Sequence, residues 1–153
     1  MATMFTYNYN TIADKDISSL YSGDNSVKES LNLTVKKYKY NDSNYDIIKY
    51  KKEKLNDDNV LTSGLFRSVI CKNKNIVSIA PPKSLSYNTF MINHHLNECN
   101  VEEYVEGTMI NMFYDNETEQ WEIATRSTIG GKTSYNISSF TNHTFRTMFL
   151  EAS

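Results

Sequence analysis

The residues best suited to bind an anion lie in the segment TRSTIGG, which runs from Thr125 to Gly131. Arg126 carries a planar guanidinium group that can form two parallel hydrogen bonds to a phosphate. The neighbouring glycines, Gly130 and Gly131, allow backbone amides to approach an anion closely. The segment therefore predicts a phosphate-binding loop, although a plain hairpin end is an equally open interpretation.

A second group of reactive side chains, His94, His95 and Cys99, has residue types that bind zinc. Neighbouring side chains point apart, however, and no second Cys/His pair stands at the spacing of a zinc site. We therefore predict no metal site here and expect residues 83–100 to form a connecting loop.

A third candidate is a lysine-rich stretch interleaved with tyrosines, a mixture that can neutralise phosphates and stack bases. The net charge of −2 gives no general attraction to nucleic acid, so such contact would need a local patch. The stretch contains no arginine and is diluted by acidic residues, which favours an ordinary solvated face. Its members are Lys36, Lys37, Lys39, Lys49, Lys51, Lys52 and Lys54, with Tyr38, Tyr40, Tyr45 and Tyr50.

The element expected to position Arg126 is a β-hairpin within residues 101–131. Apolar, β-prone residues from Met109 to Tyr114 and from Trp121 to Ala124 flank the polar segment 115–120. We expect the rest of the chain to support this hairpin.

Other patterns predict the supporting elements. Ser26 and Glu29 form a capping box before a helix over about 27–39, in which Val27, Leu31, Val35 and Tyr38 share one face. Strands are predicted at 45–50, 65–71 and 76–80, the last two joined by a four-residue loop and stopped by Pro81-Pro82. A final helix is predicted after an Asn142 cap, with an apolar stripe of Phe145, Met148, Phe149 and Ala152.

The expected fold class is α+β, with antiparallel hairpins packed on two or three helices. At 153 residues the chain fits a single domain, with a helical part over 1–44 and the remainder over 45–153.

Cys71 and Cys99, without a signal-peptide pattern, predict a reducing compartment such as the cytoplasm and no disulfide. No run of about 20 apolar residues predicts a membrane span. The apolar pattern continues to Ser153, which suggests a piece of something longer and association through residues 142–153, with a protein partner or a second copy.

Four motifs taken in order resemble the front half of phage-type RNA ligases, members of the covalent nucleotidyltransferase superfamily with similar sequences in large DNA viruses. The resemblance covers about Tyr45 to Ser153 and implies the N-terminal half of a nucleotidyltransferase domain. The motifs are LFRSVI from Leu65 to Ile70, VSIAPPK from Val77 to Lys83, YVEGT from Tyr104 to Thr108, and TRSTIG from Thr125 to Gly130.

The family signature is Lys-x-Asp-Gly, whose lysine carries AMP, and the matching residues here are Tyr104, Val105, Glu106 and Gly107. Tyr104 thus stands at the nucleophile's position. A phenol cannot replace the amine, because its ring has a different reach and an ordinary pKa near 10. We expect Tyr104 to be a packed aromatic, and we predict no catalysis by this chain alone. A rival alignment matches Glu106-Gly107 to the family's later Glu-Gly-x-Val motif instead.

The resemblance also implies phosphate contacts for Arg67, Lys83 and Arg126, with ATP and Mg²⁺ as the implied cofactors. Each has an ordinary alternative, since Arg67 could be a strand residue on apolar surface and Lys83 a solvated loop lysine. Three functional hypotheses follow. The chain is an inactive relative that binds nucleotide or RNA phosphate, or a structural or interaction module such as a virion component. In the third, it is half of a split ligase completed by another chain.

Overall fold

The computed structural model describes residues 11–12, 15–21, 25–104, 106–134 and 143–153. It has the predicted α+β fold, in which a four-stranded antiparallel sheet and a separate β-hairpin pack together beside short helices. Val105 and Asn142, which carry predictions made above, lie outside the described residues.

The strands are β1 Thr11–Ile12, β2 Lys15–Asp16, β3 Leu33–Tyr40, β4 Ser43–Tyr50, β5 Val69–Lys72, β6 Asn75–Ile79, β7 Asn111–Asp115 and β8 Gln120–Ala124. The helices are α1 Ser26–Ser30, α2 Tyr87–Asn93 and α3 Phe145–Ala152. Short 3₁₀ segments occupy Ile17–Tyr21, Lys52–Lys54, Ser63–Leu65 and Leu96–Glu98. None of the described helices has the length and apolar character that crossing a membrane requires.

The main sheet has the order β3-β4-β5-β6, and tight turns set its register. Tyr40 pairs with Ser43, so only two residues, Asn41 and Asp42, join β3 to β4. Asn73 and Lys74 join β5 to β6 and have φ values of 50° and 66°, as the favoured two-residue hairpin turn requires. The loop predicted with four residues thus contains two.

Both faces of this sheet are covered, which explains why all four residues of β5 are buried and why the adjacent residues Ile47 and Ile48 of β4 are both buried. One face packs against α1 and the first 3₁₀ segment, and the other against the β7–β8 hairpin. The first core contains Ile17, Leu31, Leu33, Ile48, Tyr50, Phe66, Val69 and Cys71. The second contains Tyr40, Tyr45, Ile47, Ile70, Phe113, Ala124 and Ile129.

The helix predicted over 27–39 is wrong beyond residue 30, and the assignment of 1–44 as a helical part is corrected with it. Asn32 adopts φ 51°, a left-handed conformation that ends α1 after one turn, and the chain continues as β3. Ser26 is the first helical residue, and Asn25 is the N-cap without a side-chain capping bond. Val27, Leu31 and Val35 do pack on one core, but from two different elements.

The predicted central hairpin is confirmed as β7 and β8, joined by the turn 116–119. The last helix is also present, although Thr144 and Thr147 form its capping box and Asn142 lies outside the described residues. Its Phe145 and Phe149 are half-buried, whereas Met148 and Ala152 are exposed.

A buried ionic cluster joins the hairpin to the main sheet. The Nζ of Lys72 lies 2.7 Å from an oxygen of Asp115, and the hydroxyl of Tyr45 donates to the same oxygen at 2.5 Å. Burial raises the pKa of Asp115, but the bonds from Lys72, Tyr45 and the Glu117 amide outweigh it and hold this pKa at about 2. Asp115 is therefore a charged, fully bonded structural anchor.

The loop after β8 is fixed against β3 by Gly130. Its φ is 82°, and any side chain at this position would overlap the ring of Tyr40. The amide of Gly130 also donates to the carbonyl of Ile123 at 2.7 Å. These contacts determine where Arg126, four residues earlier, is presented.

Candidate functional site

The strand order brings several chain segments to one end of the main sheet. Ile48 in β4 pairs with Val69 in β5, and Val69 pairs with Ile79 in β6. The end of β4, the start of β5 and the end of β6 therefore lie side by side. Arg67 precedes β5 and Lys83 follows β6, so antiparallel pairing alone places both cations at this end.

A cleft of about 700 Å³ opens at this end. Four of its lining residues are cations, and none of its lining residues is acidic. The lining residues are Tyr50, Lys52, Leu55, Arg67, Lys83, Ser84, Tyr104 and Arg126. The structure thus brings together all three predicted phosphate contacts and the residue at the nucleophile's position.

Arg126 is held in a defined orientation within this cleft. Its Nε donates to the carbonyl of Arg67 at 3.2 Å, and its Cζ lies 5.0 Å from the centre of the Tyr50 ring. Among the bonds of the described residues, none occupies its two terminal amino groups. A planar donor pair with its stem already fixed is suited to bidentate binding of a phosphate.

Lys83 and Arg67 differ in how firmly they are held. The backbone amide of Lys83 donates to the carbonyl of Gly64 at 3.0 Å, and its exposed Nζ donates to the hydroxyl of Ser84 at 2.8 Å. Arg67 is half-buried beside the rigid strand β5. Lys83 is therefore an exposed cation, and Arg67 is the more buried of the two.

Tyr104 corrects one expectation, because its side chain is 83% exposed and is not a packed aromatic. It lines the cleft from a segment without regular secondary structure. Glu106 and Gly107 are also exposed, and a side chain on Gly107 would meet nothing within 4 Å. Local packing therefore does not require a glycine there.

A second cavity of about 360 Å³ adjoins the cleft and shares two arginines with it. Its lining residues are Arg67, Gly107, Thr108, Met109, Thr125, Arg126, Ser127, Thr128, Thr133 and Phe145. Ser127 accepts a hydrogen bond of 2.9 Å from the Nζ of Lys49 in β4. Burial, and then the charges of Arg126 and Lys36, lower the pKa of Lys49.

The other sequence candidates do not form sites. Residues 87–93 are helical rather than a loop, and the ring of His94 stacks on Phe90 at 4.5 Å. Within the described ranges, no three His, Cys, Asp or Glu residues are arranged to hold a metal. In the lysine-rich stretch, Tyr40, Tyr45 and Tyr50 are core residues, and of these three only Tyr50 lines the cleft, where its ring contacts Arg126.

Several cleft residues were not predicted as site residues. Lys52 belonged to the lysine-rich stretch, where nothing distinguished it from its neighbours, and Ser84 follows Lys83 in an ordinary loop sequence. Tyr50 was assigned to a strand, which is correct, but its ring also supports Arg126. Only the folded positions of these residues reveal their place in the cleft.

In comparisons with known proteins, no protein-family model, curated protein or solved structure matches this chain.

Proposed function

We propose that this protein binds a phosphate-bearing ligand, a nucleotide or an RNA phosphate, in the cationic cleft. The observation that carries the proposal is the set of four cations that line one cleft without a carboxylate. Cations gathered in this way repel one another, and an anion with several oxygens relieves that repulsion while accepting their hydrogen bonds. The exposed ring of Tyr104 at the cleft adds a surface on which a base can stack.

The cleft supports binding rather than ligation. The side chain at the position of the expected nucleophile is a phenol, and the resemblance to RNA ligases remains a hypothesis. Mg²⁺ prefers oxygen ligands and is usually held by carboxylates, and no carboxylate is among the residues that line the cleft. The lining therefore does not fit a protein-held Mg²⁺, and any Mg²⁺ would enter on the phosphates of the ligand.

A thermal-shift titration tests the proposal, with ATP, AMP, inorganic triphosphate and a short 5′-phosphorylated RNA as ligands, each with and without Mg²⁺. At 100 times Kd, a ligand stabilises the folded state by about 2.7 kcal/mol, or about 5 to 10 °C in a domain of this size. Arg67→Gln should weaken binding about tenfold, because it removes a charge-assisted contact. Lys39→Gln, which removes an exposed charge outside the cleft, is the matched control.

The choice of ligand separates the possible outcomes. A shift with triphosphate but not AMP would define a polyphosphate site, and a shift with RNA alone would define a strand-end site. Absence of any saturable shift at millimolar ligand would overturn the proposal. The interaction-module hypothesis would then lead, supported by the exposed Met112, Tyr114 and Trp121 on the outer face of the β7–β8 hairpin.

A further inference from the structure

We propose that Ser127 and Lys49 form a nucleophile–base pair in the second cavity, which hydrolyses a small carboxylic ester carrying a second anionic group. The inference goes beyond phosphate binding, because the nucleophile Ser127 lines the adjoining cavity and Lys49 is hydrogen-bonded to it. It also departs from the sequence-based prediction that this chain alone performs no catalysis, since the reaction is hydrolysis and needs no lysine at position 104.

The first observation is the geometry of the pair. Lys49 Nζ and Ser127 Oγ are 2.9 Å apart, within the distance at which a base can accept a proton from a hydroxyl. Both side chains are half-buried, and Ser127 lines the cavity. Serine–lysine pairs are a known variant of the serine–histidine arrangement, because a neutral amine can perform the role of the imidazole.

The second observation is the surroundings of the lysine. Lys49 has no salt bridge within the described part of the chain, and its charged neighbours are Arg126 from the loop after β8 and Lys36 from β3. Burial and these two positive charges disfavour the ammonium form and lower the pKa of Lys49. The neutral amine that a general base requires therefore forms more readily on Lys49 than on an exposed lysine.

The third observation is that the turn holding Ser127 is closed by its own hydrogen bonds. The amide of Thr125 donates to the carbonyl of Thr128 at 2.9 Å, and their two hydroxyls lie 2.8 Å apart. The amide of Ser127 donates to the Thr125 hydroxyl at 3.3 Å. The serine is thus presented on a fixed turn rather than on a loose loop.

The cavity also defines the class of substrate. Arg67 and Arg126 provide positive charge for an anionic group and for the oxyanion that develops on an attacked carbonyl. Met109 and Phe145 provide an apolar wall that fits a short carbon chain. A small ester with a carboxylate at its far end matches both features.

The reaction balances with water as the only co-reactant. Neutral Lys49 accepts the proton of Ser127 as the serine oxygen bonds to the carbonyl carbon, and the departing alcohol then takes that proton from the lysine. An acyl-serine remains. Water loses a proton to Lys49, attacks the acyl carbon and releases the acid, and the proton returns to Ser127.

A fluorophosphonate probe tests the nucleophile directly on the wild-type protein. We expect one adduct by intact mass, mapped to the peptide that contains Ser127. Because the mapping uses the unaltered chain, the result does not depend on whether a variant folds. Absence of an adduct, or an adduct on any other residue, would overturn the proposal.

Variants then separate catalysis from a structural hydrogen bond. Lys49→Arg keeps the charge and a donor but removes the base, so labelling of Ser127 should slow by about 10²- to 10⁴-fold. Labelling of this variant at the wild-type rate would assign Lys49 a structural role only and overturn the pair. Lys39→Arg, at an exposed lysine that lines neither the cleft nor the second cavity, is the matched control and should label like wild type.

Substrate preference is measured with two esters of equal chain length. We expect mono-para-nitrophenyl succinate to be cleaved about tenfold faster than para-nitrophenyl butyrate, equivalent to one charge-assisted contact. Arg67→Gln should remove this preference, and equal rates in wild type would refute the anionic specificity. Ser127→Ala should lose ester hydrolysis and still bind nucleotide, because Ser127 does not line the cleft. The two proposals can therefore fail independently.

Discussion

The charged residues near the two ends of β5 are arranged differently: those at its end are paired, and those before its start are not. In the buried cluster, Lys72 and Asp115 are 6% and 2% exposed, and each charge has a bonded counter-charge. In the cleft, Lys52, Arg67, Lys83 and Arg126 face a common space that no carboxylate lines. Paired buried charges fix one element on another, whereas unpaired cations at a surface cleft favour an external anion. The difference separates residues that hold the fold together from residues available for binding.

The largest expected effect comes from breaking the buried pair. Lys72→Met leaves the Asp115 carboxylate buried with only part of its hydrogen bonds, and we expect a loss of about 3 to 5 kcal/mol in the free energy of unfolding. Urea unfolding followed by circular dichroism measures this loss. The double variant Lys72→Met/Asp115→Leu should recover part of it, because no uncompensated charge remains. A loss below about 1 kcal/mol for the single variant would contradict an anchoring role.

An effect of intermediate size on the free energy of unfolding is expected when the pH is lowered. The pKa of Asp115 falls from its ordinary 3.8 to about 2 in the folded protein, so the unfolded chain takes up the proton first. This contribution to stability is complete above about pH 4 and is lost as the pH falls towards about 2, with a size of about 2 kcal/mol. Unfolding measured across that interval should show a smaller decline in Asp115→Asn. Equal declines in the two proteins would place the acid sensitivity elsewhere.

The smallest effect is expected in the cleft. Lys83→Gln removes an exposed charge without a carboxylate partner, so ligand-free stability should change by no more than about 0.5 kcal/mol, with any change towards greater stability at low salt. Thermal unfolding at two salt concentrations measures this. Lys39→Gln serves again as the control. A destabilisation above about 1 kcal/mol would show that Lys83 has a structural role and would weaken the comparison.

The sequence predicted most of the described strands, because β4, β5, β7 and β8 are short segments with β-branched or aromatic residues, bounded by turn residues. It failed at β3. Leu33 and Val35 face one core while Tyr38 and Tyr40 face the other, so apolar and polar residues do not alternate regularly along β3. The helical spacing that begins at Val27 and ends at Tyr38 therefore led to the prediction of a helix. The left-handed conformation of Asn32, which ends α1, has no periodic signature.

For the candidate site, the sequence indicated residue types but not neighbours. Arg67 and Arg126 were selected through motif resemblance, and their contact joins residues 59 positions apart. The bond between Lys49 and Ser127 spans 78 positions, and that between Lys72 and Asp115 spans 43. Such contacts arise only when two sheets pack together, so spacing along the chain cannot predict them.

Among the described strands, β3 is one of the two outer strands of the main sheet, and it carries Lys36, Lys37 and Lys39. An outer strand offers unpaired backbone groups to any other extended chain and is a common starting point for aggregation. If two copies met edge to edge through β3, their lysines would be brought together and would repel one another. We therefore expect these three lysines, which belong to the lysine-rich stretch, to oppose sheet extension from one molecule to the next in concentrated protein.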